Sequence, residues 1–346
     1  MEWTLTTPTG TCRIALGAWL DRLSANLDPE RTILVTDANV ARLYAARFPA
    51  VPVAVLAPGE AHKTLEAVAA LDERFLAQGV DRDWLVLAVG GGLVCDVAAF
   101  AAATYLRGLD CGLVPTTLLA QVDAGVGGKN GVNFHSFKNL IGTFRQPRFV
   151  FCDPDFLTTL PPEEWRSGMA EAVKHAAIAD AGYFSFIESR AAGLRAPNTD
   201  LAGPLISASI AVKIAVVAAD EREADRRRIL NFGHTFGHAI EAVHGLPHGR
   251  AVALGMAAAA RLSARLGLLS SAELSRLLDL LTALELTADP ELDRAAVLEA
   301  LRRDKKRYGE AVRFVLLRRL GQAEVREITL SELAAAWDHL WPRPVS

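Results

Sequence analysis

The stretch that decides the fold is WLVLAVGGGLVCD, residues 84–96. Its first half is apolar and uncharged, as expected of a strand buried on both faces of a parallel sheet. Gly90-Gly91-Gly92 then turns the chain into VAAFAAATYL (97–106), an apolar helix. Strand, glycine turn and helix in this order present free backbone N–H groups at a helix N-terminus, where a pyrophosphate can be held. The glycines do not follow G-x-G-x-x-G, so a tight turn between packed elements is the competing reading. Asp96 can cap that helix or hold a ligand group. A membrane span does not fit: Asp96 is the only charge between Asp83 and Arg107, but three consecutive glycines would leave backbone groups unsatisfied in lipid.

Outward from this unit, RTILVTD (31–37), VPVAVL (51–56), CGLVPTT (111–117) and FVFCD (149–153) are further strand candidates. Helical patterns alternate with them, such as KTLEAVAALDERFLAQ (63–78), which stops at Gly79. The N-terminal part therefore reads as an α/β domain with a mostly parallel, Rossmann-like sheet. From Pro161 onward the apolar period becomes 3.6, through residues 162–179, 199–219, 232–244, 249–266, 271–285 and 293–303. RFVLL (313–317) and AEVREI (323–328), joined across Gly321, form one late hairpin in this mainly α-helical part. Two domains are expected, 1–160 and 161–346, with Pro161-Pro162 at the boundary; a length of 346 residues agrees at about 150 residues per domain.

Lys plus Arg is 37 and Asp plus Glu is 40, a net charge of −3 with no basic block, so nucleic acid is not an expected partner. The opening MEWTLTTPTG has no basic n-region and no apolar h-region; the cytoplasm is the expected compartment. Cys12, Cys95, Cys111 and Cys152 are scattered without C-x-x-C spacing and read as reduced.

Further motifs carry chemistry. QVDAGVGGKNGVN (121–133), followed by Lys138-Asn139, is a glycine-rich hairpin whose glycines can admit a ligand to the backbone and whose lysines supply charge for phosphate or carboxylate; a solvated loop is the competing reading, and the apolar flanks favour a site. Glu171 and Lys174 lie three apart and share a helix face, which taken alone describes a solvated ion pair. In RRILNFGHTFGHAIE (227–241), His234 and His238 sit at i and i+4, where both can point at one ligand. With His244 and His248, four of the eight histidines fall between 234 and 248, which favours a metal site, although spacing does not select the ligands. Two or three imidazoles plus Glu171 would suit Zn²⁺ or Co²⁺ with an open position. Asp304-Lys305-Lys306 reads by itself as a solvated surface.

Taken together, these motifs resemble the 3-dehydroquinate synthases of the sugar-phosphate cyclase family. The likeness is carried by PGEAHK (58–63), GGGLVCD (90–96), PTTLLAQVDAGVGGKNGVN (115–133), TLPPEEWRSGMAEAVK (159–174), RRILNFGHTFGHAIE (227–241), HGRAVALGM (248–256) and DKKRYGEAVRFVLL (304–317). It implies a dehydroquinate synthase-like fold, with an N-terminal NAD-binding domain, a helical metal- and substrate-binding domain, and an active site in the cleft between them. By motif position, the implied metal ligands are Glu171, His234 and His248. The implied NAD contacts are Asp37, Glu60, Lys63, Gly91, Gly92, Asp96, Thr116, Thr117, Lys129, Lys138, Phe156 and Thr159. The implied substrate contacts and catalytic groups are Asp123, Lys129, Asn139, Lys174, Lys213, Arg227, Asn231, His238 and Lys305 or Lys306, with Arg107 entering from the partner of a homodimer.

The activity so implied is a lyase reaction of the shikimate pathway, with NAD used catalytically. It converts 3-deoxy-D-arabino-heptulosonate 7-phosphate to 3-dehydroquinate and phosphate by oxidation at C5, elimination, re-reduction and aldol closure. The alternatives are another sugar-phosphate cyclase, acting on sedoheptulose 7-phosphate or an amino form of the substrate, and a metal- and NAD-dependent polyol dehydrogenase. Arg227, Asn231 and His238 favour the dehydroquinate reaction, because a substrate without a carboxylate would not need them. Cys95, Ala99, Asn130 and His175-Ala176 depart from the family pattern without removing a ligand or a charged anchor.

Overall fold

A computed structural model of the chain describes residues 1–23, 26–135, 137–287, 291–305 and 311–341. The chain forms two compact units, Met1–Leu160 with Ala202–Arg222, and Pro161–Leu201 with Glu223–Ser346. The helix Thr199–Ala219 thus begins in the second unit and continues in the first, whereas the reading from sequence kept all of it with the helical part.

The first unit is built on seven strands: β1 (Glu2–Thr7), β2 (Gly10–Leu16), β3 (Thr32–Asp37), β4 (Val53–Leu56), β5 (Leu85–Gly90), β6 (Asp110–Pro115) and, after a separate antiparallel pair β7 (Lys129–Phe134) and β8 (Phe137–Phe144), β9 (Phe149–Cys152). Their order is β1-β2-β9-β6-β5-β3-β4, parallel throughout except for the β1–β2 hairpin. All six residues of β5 are buried, which is why its sequence is apolar without alternation. One face packs on Trp19, Tyr44 and Phe156, and on the other the helix Gly92–Thr104 buries Val94, Val97, Ala98 and Ala101. β4 lies on one side of β3 and β5 on the other, so the winding reverses between β3 and β5. Outside the carboxyl ends of strands at such a switch point, an open parallel sheet leaves a crevice for a ligand.

The second unit holds the helices Pro162–Ala179, Ala181–Ser189, His234–His244, His248–Arg265, Ser271–Ala283, Arg294–Lys305 and Leu330–Leu340, and the hairpin β10 (Ala311–Arg319) with β11 (Gln322–Thr329). Glycines let three of these helices approach backbone to backbone. A Cβ on Gly255 would stand 1.9 Å from the Gly233 carbonyl oxygen, one on Gly237 3.0 Å from Val252 Cα, and one on Gly249 2.4 Å from Ser167 Cα. Gly233 itself has φ of +81°, which L side chains rarely adopt.

All four cysteines are free and buried. Burial pushes each thiol up, to about 12 for Cys12 and Cys111, which leaves them inert.

Candidate active site

In the first unit, the residues of interest gather at the carboxyl ends of β3 and β5. Thr36 Oγ1 donates to the Val89 carbonyl at 2.8 Å, tying these two strands at the switch point. Asp37 ends β3 and caps the next helix, its Oδ1 accepting from Asn39 N at 2.8 Å and Val40 N at 3.1 Å. Gly91 is the N-cap of Gly92–Thr104, and a Cβ there would lie 3.0 Å from Thr117 Cγ2. A side chain at 91 would therefore crowd the place where the free N–H groups of the helix emerge. Thr116 N donates to the Gly90 carbonyl at 2.9 Å, and Thr117 Oγ1 accepts from Ala120 N at 3.2 Å.

Lys63 is buried, and its ammonium donates to Asp96 Oδ2 and Asn139 Oδ1, each at 2.5 Å. Burial pushes the Asp96 carboxyl up, and Lys63 pulls it back. Glu60 lines an open pocket of about 310 Å³ together with Thr64 and Asn133. Phe156 is buried against Tyr44 and Trp19, and Thr159 Oγ1 shares a 2.7 Å hydrogen bond with Tyr44 Oη. Lys129 opens β7 and Lys138 lies on β8, both exposed. Lys213, from the returning helix, is buried and bonds Asp123 Oδ1 at 2.5 Å. Arg107 stands on an exposed turn, where it and Leu106 both have positive φ, +70° and +49°.

In the second unit, Glu171, His234 and His248 come together from three helices. Glu171 is fully buried, and its Oε1 lies 3.5 Å from both His234 Nε2 and His248 Nε2. A tetrahedral ion with bonds of ~2.1 Å holds its ligand atoms ~3.4 Å apart, close to these two gaps, and all three donor atoms lie within 4.8 Å of one another, so the set suits a divalent metal. The far nitrogens are oriented as metal-binding histidines require: His234 Nδ1 faces the Phe232 carbonyl at 3.3 Å and His248 Nδ1 faces Glu241 Oε2 at 3.4 Å. Burial and the nearby Lys174 charge push His234 well below the usual histidine range. Burial pulls His248 down, but the Glu171 and Glu241 carboxylates outweigh it and hold this imidazole up at about 9.

Lys174 pairs with the other oxygen of Glu171, and both side chains are buried. The sequence spacing alone had suggested a solvated pair, which the burial overturns. His238 stands beside the trio, its ring 5.1 Å from that of His234 and 6.3 Å from that of His248. His244 faces away to accept from Asp293 N at 3.3 Å. Arg227 is buried, and Asn231 Nδ2 donates to Glu223 Oε1 at 2.5 Å. Lys305 ends the helix Arg294–Lys305 with its side chain outside the described residues, and Lys306 lies outside them entirely. Glu241 has no counterpart in the residues singled out from sequence. Its signal was there: positions 234, 238 and 241 form an i, i+4, i+7 stripe on one helix face.

A parallel sheet with a switch point and a glycine-capped helix, together with a helical unit carrying a buried Glu-His-His cluster, makes a dehydroquinate synthase-like fold. Solved structures of that class are similar over nearly all of the chain. One is 2-deoxy-scyllo-inosose synthase complexed with carbaglucose-6-phosphate, NAD⁺ and Co²⁺, with a TM-score of 0.87 and 29% identity over 97% of this chain and 99% of that one. Another is 2-epi-5-epi-valiolone synthase from Streptomyces hygroscopicus with NAD⁺ and Zn²⁺ bound, with a TM-score of 0.85 and 31% identity over 94% and 96%. The family models for the 3-dehydroquinate synthase N-terminal and C-terminal parts match residues 53–167 and 168–307. A 3-dehydroquinate synthase of Salinibacter ruber is 44% identical over 320 residues, 89% of this chain and 87% of the relative. The chain belongs to the 3-dehydroquinate synthase family.

Proposed function

We propose that the protein is a lyase that converts 3-deoxy-D-arabino-heptulosonate 7-phosphate to 3-dehydroquinate and inorganic phosphate, with NAD⁺ and Zn²⁺ or Co²⁺ as resident groups. The observation that carries this reading is the Glu171, His234 and His248 cluster, with donor gaps of 3.5 Å, in a chain of this family. Those three residues would hold the ion. Asp37, Glu60, Lys63, Gly91, Gly92, Asp96, Thr116, Thr117, Lys129, Lys138, Phe156 and Thr159 would bind the dinucleotide, where the glycine cradle at 91 fits a pyrophosphate. When bound, the two groups supply hydride exchange at a substrate carbon and Lewis-acid polarisation of its hydroxyl.

The remaining work falls to the chain. The substrate carries a carboxylate and a phosphate, which need several cations; Lys129, Lys174, Lys213 and Arg227 supply them, with Asn139 and Asn231 as neutral donors and Lys305 or Lys306 as a further charge. Asp123 holds the Lys213 ammonium in one position. His238, next to His234, and Lys174 are the groups to take and return the proton of the oxidised hydroxyl. Arg107 acts on the partner's substrate in a homodimer, and the enzyme works in the cytoplasm with no nucleic acid or membrane partner. The described helix long and apolar enough to cross a membrane, Thr199–Ala219, is half buried and carries Lys213, as a core helix does.

The test is phosphate release from the heptulosonate phosphate with substoichiometric NAD⁺ and added Zn²⁺ or Co²⁺. Many turnovers per NAD⁺ without accumulation of NADH are expected. NADH formed in step with substrate would instead mean a polyol dehydrogenase, and release only from sedoheptulose 7-phosphate or an amino substrate would mean another cyclase.

A further inference from the structure

Asn133, near the end of β7, is held by more hydrogen bonds than its place on a hairpin requires. Its Nδ2 donates to Glu60 Oε1 at 2.8 Å, its Oδ1 accepts from Asn139 N at 2.9 Å, and its own backbone N–H donates to the Lys63 carbonyl at 2.8 Å. Only one orientation of the amide serves both side-chain neighbours, because a carboxylate needs a donor and an N–H needs an acceptor. Asn139, whose backbone is pinned in this way, has φ of +52°, and its Oδ1 receives the Lys63 ammonium, which also bonds Asp96. A ring of contacts therefore closes through Asn133: the Glu60 loop, Lys63, Asn139 and back to β7. Glu60 and Lys63 fall on the side proposed for the dinucleotide, and Asn139 on the side proposed for the substrate.

We propose that Asn133 is a positioning residue that joins these two sides, fixing Glu60 through its donor and Asn139 through its acceptor. The inference rests on the function proposed above. It also requires neutrality at this position, since a carboxylate facing Glu60 would repel it while still accepting from Asn139 N.

Two variants separate the arms. Asn133→Ala removes both and is expected to raise the dissociation constant for NAD⁺, measured by calorimetry, and the KM for the heptulosonate phosphate, each by about fivefold to tenfold at ~1 kcal/mol per hydrogen bond, with kcat little changed. Asn133→Asp keeps the acceptor, loses the donor and sets a like charge against Glu60; it is expected to weaken NAD⁺ at least as much as the alanine variant does and to leave the KM near the wild-type value. A residue that served packing alone would lower the melting temperature and the yield of active enzyme in both variants while leaving both constants unchanged, and that result overturns the proposal. So does a KM raised equally in the two variants. If the wild-type protein binds NAD⁺ but releases no phosphate, the functional reading fails, and the NAD⁺ constants of the two variants still decide the case of Asn133.

Discussion

The switch-point end of the sheet in the first unit and the Glu-His-His cluster of the second are built by different means. The first combines main chain, with a glycine N-cap at Gly91 and a strand-end carbonyl at Val89, and a polar side-chain network of Glu60, Lys63, Asp96, Asn133 and Asn139. The second relies on side chains projecting from buried helices, and glycines serve there only to bring the helices close. At the glycine cap an added Cβ is what cannot be accommodated freely, since one on Gly91 would stand 3.0 Å from Thr117 Cγ2. A site of buried side chains tolerates no loss of a donor, because the groups left behind have no water to turn to.

The contrast can be broken most forcefully at Glu171. Glu171→Gln keeps the shape but withdraws the charge shared by two histidines and Lys174. Bound metal, measured by elemental analysis, is expected to vanish and phosphate release to fall by roughly 10³-fold, while calorimetry still finds NAD⁺ bound. Loss of NAD⁺ binding as well would mean that the two sites are not separately built. The converse change, Gly91→Ala, sets a Cβ 3.0 Å from Thr117 Cγ2. Crowding of about 2 kcal/mol corresponds to NAD⁺ binding weakened about 30-fold, with metal content unaltered. Glu241→Ala tests the support of His248. At 3.4 Å the contact is long, so the expected loss of metal affinity, read by competition with a chelator, is at the lower end for such partners, about tenfold.

The smallest effect concerns the first unit's own integrity. Glu221, on the returning segment, accepts from Thr7 Oγ1 at 2.6 Å, Gln146 Nε2 at 2.8 Å, Thr9 N at 3.2 Å and Thr9 Oγ1. Burial pushes this carboxyl up, but the hydrogen bonds outweigh it and hold it below the usual carboxylate range. Because the folded-state pKa is depressed, the stability it contributes is present above the ordinary carboxylate value and is lost as pH falls through the folded value. Glu221→Gln should therefore lower the melting temperature at pH 7, by a change of about 1–2 kcal/mol, and the gap to the wild type should close in acid. A gap that persists unchanged in acid would show that charge is not what Glu221 contributes.

The legibility of these features in sequence follows from how local their causes are. β5, its glycine turn and the long helices were readable because burial and period act within a dozen residues. The β1–β2 hairpin was not: of EWTLTT only Leu5 is buried, which is too faint an alternation to stand out among threonines. The short helix Ala181–Ser189 and the terminal helix Leu330–Leu340 also went unread. Spacing favours His238 as the partner of His234, because spacing can pair only residues on one helix, and these two sit at i and i+4. The place of His248 beside His234 depends instead on how Gly237 and Gly255 let two helices touch, and that was accessible only through the family likeness. The burial of Glu171 with Lys174 is likewise a product of three-dimensional packing, as no spacing distinguishes a core ion pair from a surface one.

The returning helix Thr199–Ala219 has a consequence for how such proteins can be recombined. The polypeptide passes between the units after residues 160, 201 and 222, so neither unit corresponds to one contiguous piece of gene. A fragment ending at Leu160 would carry Asp123 without Lys213, and Thr7, Thr9 and Gln146 without Glu221. Exchanging the first unit between relatives therefore calls for a two-piece graft, residues 1–160 together with 202–222, and a single crossover at the proline pair would cut across the first unit's own hydrogen bonds.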